Sequence, residues 1–451
     1  MHKVFPEKVT EYLENKCHKH WELEWNEVPA IDTVIVIPAI CELENIKLLL
    51  SSLVQNPKST LQKSLIIFVV NNSISSNSEV RGNNKSSLEF LRSLLNKKSS
   101  DNVSRQILNS EIRIGLIDAA SDENEFDDKN AGVGLARKIG MDTALQVFDY
   151  SIINKKLIVS LDADCLVDEN YISVIQEFFN TRDVSVAIVD FDHVLQENEK
   201  NKVAVLSYEI FLRHYIVGLL YAESPYAFHT VGSTIVCDHE AYIKIGGMNT
   251  KKAAEDFYYL QKLAKHYKIN RITSTKVKPS ARESWRVPFG TGRSISDFLS
   301  NKKDIFVYDP EVYLVLKKWL RLYNSELILN PELILKETKE IHPELYNFLE
   351  SRGFINDWKK ILDNSKSSNQ LNHQRKNWFD AFETLKLLHH LRDNSFPMMN
   401  IKSGVEKLFK VVAHSTSFDS LVETNNNDIL FSSYLSELKE LENKYYQKFQ
   451  E

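Results

Sequence analysis

An apolar run, Leu157-Ile158-Val159-Ser160-Leu161, ends abruptly in Asp162-Ala163-Asp164. Residues i and i+2 of an extended strand point to the same side, so an extended chain here sends both carboxylates to one spot just beyond the strand. In open α/β sheets ligands bind outside the carboxyl ends of the strands, and a hard cation carried there by carboxylates bridges to substrate phosphates. The pair therefore marks a place for a divalent cation. Asp also favours turns, so two solvated turn residues after a buried strand are the plainer account of the same tripeptide.

Other groups along the chain have the residue types for chemistry. In Ala254-Glu255-Asp256-Phe257-Tyr258 two carboxylates precede two aromatic rings, and partial burial of that kind tunes a carboxylate for work as a base. Carboxylates that stabilise a helix amino terminus through its dipole would look the same. The segment from Arg282 to Arg293 combines Arg282, Arg286 and Arg293 with Gly290 and Gly292. Glycines let backbone amides approach an anion and arginines offer forked donors to phosphate, so this segment is a candidate lid; a surface turn with solvated arginines is its rival. His229, in Ser224 to Ser233, is a candidate acceptor or metal contact, although a lone His in an apolar loop is more often packed and hydrogen-bonded.

The elements that must position these residues alternate. From Asp32 to about residue 190, short apolar runs alternate with helical patterns, the signature of βαβ units and a mostly parallel sheet. Strands are expected at Thr33–Ile37, Leu65–Val70, Ile112–Ile117, Leu157–Leu161 and Val184–Val189, and helices at Glu42–Val54, Ser86–Leu95 and Gly132–Val147. Four polar strand ends then lie along one rim. Beyond residue 200 come a long helix at Val203–Ala222, a strand at Thr234–Val236, helices near Asp238–Ile245 and from Ala254, and a strand at Arg271–Val277. After about Asp304 the chain turns helical, with Asp363–Lys376 a polar linker. The expected division is an N-terminal helical arm (1–30), an α/β domain (31–300) and a helical C-terminal domain (301–451).

Composition narrows the classes. A chain of 451 residues suggests two or three domains, and 43% apolar with 26% charged residues is ordinary soluble globular composition. The net charge of −5 and the lack of a basic block argue against a nucleic-acid partner. Cys17, Cys41, Cys165 and Cys237 are scattered without CxxC spacing, which points to no disulfide framework or structural zinc and fits a reducing, cytoplasmic location. The Cys17-His18-Lys19-His20 cluster reads as solvated. The amino terminus lacks the apolar core of a secretory signal. Val203–Ala222 carries Glu209, Arg213 and His214 near its centre, and an Arg there costs roughly 2.5–3.5 kcal/mol in a spanning helix, so an amphipathic or buried helix is expected, with peripheral membrane contact left open.

Taken in order, Pro38-Ala39-Ile40-Cys41-Glu42-Leu43-Glu44-Asn45-Ile46, Gly132-Val133-Gly134-Leu135-Ala136-Arg137, Asp162-Ala163-Asp164 and Glu255-Asp256-Phe257 resemble family 2 glycosyltransferases of the GT-A fold, over roughly residues 30–295. The resemblance implies transfer of a sugar from a nucleotide-diphosphate donor to an acceptor hydroxyl. A pyrophosphate leaving group then calls for a cation or fixed donors. It implies metal at Asp164, with Asp162 toward the ribose or a metal-bound water. Pro38, Glu42, Asn71 and Asp118 become a nucleotide cradle, although Glu42 and Asn71 equally suit helix-start and turn positions; Arg137 reaches the diphosphate unless it pairs with a surface carboxylate; Asp256 is the general base of an inverting reaction and Glu255 its neighbour at the acceptor. The residues of the candidate lid, Arg286, Gly290, Gly292 and Arg293, would cover the diphosphate. The Gln-x-x-Arg-Trp motif of processive synthases is missing, as are their several membrane helices, which favours addition of one sugar.

Rival readings share single features. A dinucleotide-binding oxidoreductase would use the Gly-x-Gly at Gly132, but Arg137 stands where its third glycine belongs. An aspartyl phosphatase would want Thr or Val where Leu166 is. A nucleotidyltransferase would carry a Gly-rich basic loop where Pro38 to Asn45 is acidic. A retaining transferase, or a scaffold that binds nucleotide or partner proteins without catalysis, uses the same sheet.

Overall fold

The computed structural model describes residues 5–28, 30–99, 101–195, 199–282, 291–300, 304–325, 330–413 and 426–450. The chain forms two compact units. The first comprises the described residues up to Val194 together with Thr230–Ser280, and the second comprises Leu195–His229 and the described residues after Ser280.

In the first unit the elements run α1 (Glu7–Lys16), β1 (Leu23–Trp25), β2 (Thr33–Ala39), α2 (Leu43–Leu53), α3 (Lys58–Leu61), β3 (Ser64–Asn71), α4 (Ser78–Leu95), α5 (Asn102–Leu108), β4 (Ile114–Ala119), α6 (Val133–Val147), β5 (Leu157–Ser160), β6 (Cys165–Val167), α7 (Tyr171–Asn180) and β7 (Val186–Phe191). In the second unit α8 (Glu199–Tyr221) follows. The first unit resumes with a 3-10 turn at Gly232–Thr234, then β8 (Ile235–Asp238), α9 (His239–Lys244), α10 (Glu255–His266) and β9 (Asn270–Pro279).

The fold class is α/β, as expected. Nine strands form one sheet in the order β1-β4-β3-β2-β5-β8-β7-β9-β6. β4, β3, β2 and β5 run parallel to one another. These strands read as continuous β-branched and apolar runs because helices cover both faces of the sheet, and Val34 to Ile37 and Leu65 to Val70 are fully buried. Gly140 of α6 lets that helix lie close on the sheet: a Cβ there would stand 2.4 Å from Val36 Cγ1. The N-terminal arm is more than helical. β1 pairs antiparallel with β4, and the Tyr12 hydroxyl of α1 donates to Asp142 at 2.9 Å, a carboxylate that also accepts from the Tyr242 hydroxyl at 2.7 Å.

In the second unit α8 is followed by α11 (Thr291–Leu299), β10 (Phe306–Val307), α12 (Glu311–Tyr323), α13 (Pro331–Ile341), α14 (Pro343–Ser351), α15 (Phe354–Asp363), α16 (Ser368–Trp378), α17 (Ala381–Asn394), β11 (Met399–Asn400), α18 (Ile401–Ala413) and α19 (Asn427–Gln450). The expected polar linker at 363–376 is therefore largely a helix, α16, capped by the Ser367 side chain and anchored by buried Arg375, whose Nη2 donates to Ser325 O at 3.0 Å. α8 has the length and composition of a membrane span, but 72% of that stretch is buried inside the fold. Its central charges are satisfied within the unit. Arg213 donates to Glu209 at 3.1 Å and to Glu442 of α19 at 2.8 Å, and Lys439 pairs with Glu209 at 3.0 Å. This packing shifts the expected boundary at residue 300: the segment 195–229 belongs to the helical unit, because α8 buries its apolar faces among α12, α18 and α19.

Candidate functional site

Parallel pairing puts the carboxyl ends of β4, β3, β2 and β5 on one edge, with Asn71 opposite Ala119 and Ala39 opposite Val70. The rim expected from the strand ends is present. Just past β5, however, the chain is not extended. The Cys165 amide donates to Asp162 O at 3.2 Å, so Asp162 to Cys165 is a tight turn between β5 and β6, and the same-side argument for an extended strand does not apply. The turn is pinned at its other end by the Ser280 amide, which donates to Asp164 O at 3.1 Å. Both aspartates are half-buried on this turn.

Arg137 organises the site. It is 3% exposed and projects from α6. Nη2 donates to Asp162 Oδ1 at 2.7 Å, Nη1 donates to Gly232 O at 3.1 Å and to the Ser160 hydroxyl, and Nε faces Glu255 Oε1 at 3.4 Å. Burial works against the guanidinium charge, but Asp162, Glu255 and Asp256 outweigh it and keep the pKa above its ordinary value. The approach is close enough to require glycine at 232, where a Cβ would meet Arg137 Nη2 at 2.5 Å and Asp256 Oδ2 at 3.5 Å. One buried cation thus gathers the turn after β5 and the start of α10.

Glu255 and Asp256 open α10 behind Ala254, a non-glycine residue held at φ 56°. Left-handed backbone at such a residue costs on the order of 1 kcal/mol or more and is kept where the surroundings enforce it. Just past it, Asn249 Nδ2 donates to Glu255 O at 2.8 Å. The 249–251 loop in turn presses on Gly134 of α6, where a Cβ would stand 2.4 Å from Lys251 O. The Gly132/Gly134 pair thus makes room for this loop. Burial lifts the Glu255 carboxyl to about 7, with Arg137 pulling it down and Asp256 pushing it up. Asp256, half-buried, is raised too, by burial first and against the pull of Arg137; its Oδ1 accepts from the Phe257 amide at 2.7 Å. The pair opens the helix, as the helix-terminus account expects, and burial dominates its acidity.

The cradle residues hold the rim together. Pro38 lies at the end of β2 opposite Val69. Asn71 donates to Ala39 O and Val69 O, both at 3.1 Å. Asp118 is 9% exposed and accepts from the Ala120 and Ser121 amides, the Ser121 hydroxyl and Arg92. Burial pushes its pKa up, but these donors outweigh burial and hold it below the usual range. Glu42, 3% exposed, precedes α2 and accepts from Asn45 Nδ2.

The remaining expected residues fall in the second unit or outside the described residues. His229 belongs to the helical unit, where it is 3% exposed with Nε2 3.0 Å from Glu442 Oε1, as a packed histidine. Arg286 and Gly290 lie outside the described residues. Gly292 and Arg293 are in the first turn of α11, a helix where a loop was expected. Ser160 and Gly232, both bonded to Arg137, were missed; the small Gly232-Ser233 step before a strand was the only signal. A pocket of about 660 Å³ lined by Cys17, Trp21, Trp25 and Thr143 lies at the N-terminal arm and shares no residue with the cluster.

Among the described residues no three His, Cys, Asp or Glu side chains form a metal-holding group. The donor set nonetheless suits a hard cation that takes one or two carboxylates and completes its shell with substrate phosphates and water. Asp162 and Asp164 lie on the same turn, and the Asp162 carboxylate also accepts from Arg137.

No family model matches the sequence, and no curated protein matches it. Among solved structures, S. aureus TarS 1-349 is similar at 11% identity and a TM-score of 0.37, covering 77% of this chain and 90% of its own. The same protein in complex with UDP-GlcNAc is similar at 12% identity and 0.38, covering 87% and 95%. The mannosyltransferase PcManGT from Pyrobaculum calidifontis, in complex with GDP-Man and Mn²⁺, is similar at 10% identity and 0.34, covering 97% and 92%. Likeness of this degree fixes neither activity nor substrate.

Proposed function

We propose that the chain is a GT-A-type glycosyltransferase of family 2 character, moving a single sugar from a nucleotide-diphosphate donor to an acceptor hydroxyl with inversion. The observation that carries this reading is the convergence on Arg137: one buried guanidinium joins the turn after β5 to a carboxylate pair whose acidity burial has lowered. A leaving-group site and a base site are then neighbours, as displacement of a diphosphate by a hydroxyl demands.

In this reading the rim from Pro38 and Glu42 through Asn71 to Asp118 holds the nucleoside, with Asn71 and Asp118 acting through the backbone they fix. Arg137 keeps Asp162 oriented and supplies fixed positive charge near the departing diphosphate. Asp256 takes the proton of the acceptor hydroxyl, and Glu255 contacts the acceptor. Mg²⁺ or Mn²⁺, held by Asp164 with help from Asp162, would supply charge neutralisation for the diphosphate.

The test is thermal denaturation with nucleoside diphosphates, with and without Mn²⁺, on wild type and D164N. A ligand at 100 times its Kd stabilises the native state by about 2.7 kcal/mol. Wild type should be stabilised by at least one nucleotide in the presence of Mn²⁺, and D164N should lose the Mn²⁺-dependent part. A wild type that no nucleotide stabilises refutes the reading.

A further inference from the structure

Two asparagines stand in the middle of α4, Asn83 and Asn84, at positions where asparagine is a poor helix former. Both reach across to the loop between β2 and α2. α2 has no side-chain cap from its own N-cap residue, Glu42. Instead the Leu43 amide donates to Asn83 Oδ1 at 3.1 Å and the Cys41 amide donates to Asn84 Oδ1 at 2.8 Å. Cys41 is held at φ 57°, left-handed backbone that a residue with a Cβ rarely adopts.

Asn84 does more than cap. It is 1% exposed, and its Nδ2 donates to Asn71 O and to Asn72 Oδ1, both at 2.9 Å. Asn72 in turn donates to Glu125 Oε1 at 3.1 Å, a carboxylate that Arg81 also holds. One buried amide therefore uses its acceptor on the loop after β2 and both donors at the end of β3. No other residue type of this size offers an acceptor and two donors in one plane.

We propose that Asn84 is a positioning residue for the donor nucleotide, clamping the left-handed Cys41 turn to the end of β3. The proposal rests on the assignment of these two strand ends to the nucleoside, and it adds a residue that never touches the ligand. Without the clamp, Cys41 relaxes from its strained conformation and the loop leaves the register the nucleoside needs. Donor affinity falls while the chemistry at Asp256, on another element, is left intact.

The experiment measures nucleoside diphosphate affinity by calorimetry, and donor KM and kcat, for wild type, N84A, N84D and C41G/N84A. N84A and N84D should bind the nucleotide about tenfold more weakly or worse, the scale of a buried polar group left unsatisfied. Their donor KM should rise while kcat moves less than about twofold, a split that general loss of folded protein would not produce. C41G/N84A should recover most of the affinity, because glycine takes φ near 57° unaided. Should N84A be too unstable to purify, N84D carries the test, since it keeps size and acceptor but sets a carboxylate against Asn71 O. Wild type that binds nucleotide while N84A and N84D bind equally well overturns this proposal alone, as does a C41G/N84A variant no better than N84A. Wild type that binds none removes the parent reading and this proposal with it.

Discussion

Replacing Glu255 by glutamine keeps the shape of the protonated acid and removes its titration. In the folded chain Glu255 is 5% exposed, and burial raises its carboxyl from an ordinary 4.5 to about 7. Between those values the folded protein binds a proton that the unfolded chain does not. The stability linked to Glu255 is therefore fully present below pH 4.5 and is lost as pH rises through 7. At roughly 1.4 kcal/mol per unit, the shift corresponds to about 3 kcal/mol. Near pH 5 wild type carries a neutral acid and E255Q should match it. At pH 8 wild type buries a carboxylate against Asp256 and Asp162, with Arg137 the chief offset, and E255Q should be more stable by up to about 3 kcal/mol. Urea melts at pH 5, 6, 7 and 8, read by limited proteolysis of the sheet unit, give the difference curve. Parallel curves, or an E255Q variant that loses ground as pH rises, refute the assignment of a raised acid at this position.

Asp256→Asn should leave nucleotide-dependent thermal stabilisation intact while lowering kcat by about 10²–10⁴-fold, the usual weight of a positioned general base; transfer of a labelled sugar under single-turnover conditions checks it. Arg137→Met removes the cation that Asp162, Glu255 and Asp256 share and should cost about 3–5 kcal/mol, as breaking a buried pair does. The loss should be greater at pH 8 than at pH 5, because protonation of Glu255 relieves the exposed repulsion, and urea melts at the two values measure it.

The alternation of apolar runs and helical patterns from Thr33 to Phe191 was enough to read four parallel strands and their polar ends, because a strand buried on both faces must be apolar throughout and can only stop where polar groups meet solvent or ligand. Asp162 and Asp164 stood out because charges that end an apolar run are conspicuous, whereas Arg137, Glu255 and Asp256 were singled out by the family resemblance. What the sequence could not show is that Asp162 to Cys165 turns tightly where an extended run was expected, since a hydrogen bond from residue 165 back to 162 leaves no periodic trace. Nor could it show that α8 leaves the sheet unit, which follows from Arg213 finding Glu442 in α19, more than two hundred residues on. His229 looked like a site residue for want of that same partner. Local patterning, set by solvent and backbone geometry, decided which residues lie at strand ends and helix starts. Tertiary contact alone decided that Arg137 binds the turn to α10, and that Asn84, just ahead of where a helix was expected to begin, bonds to two strand ends, because both depend on side chains meeting across distances the chain does not encode locally.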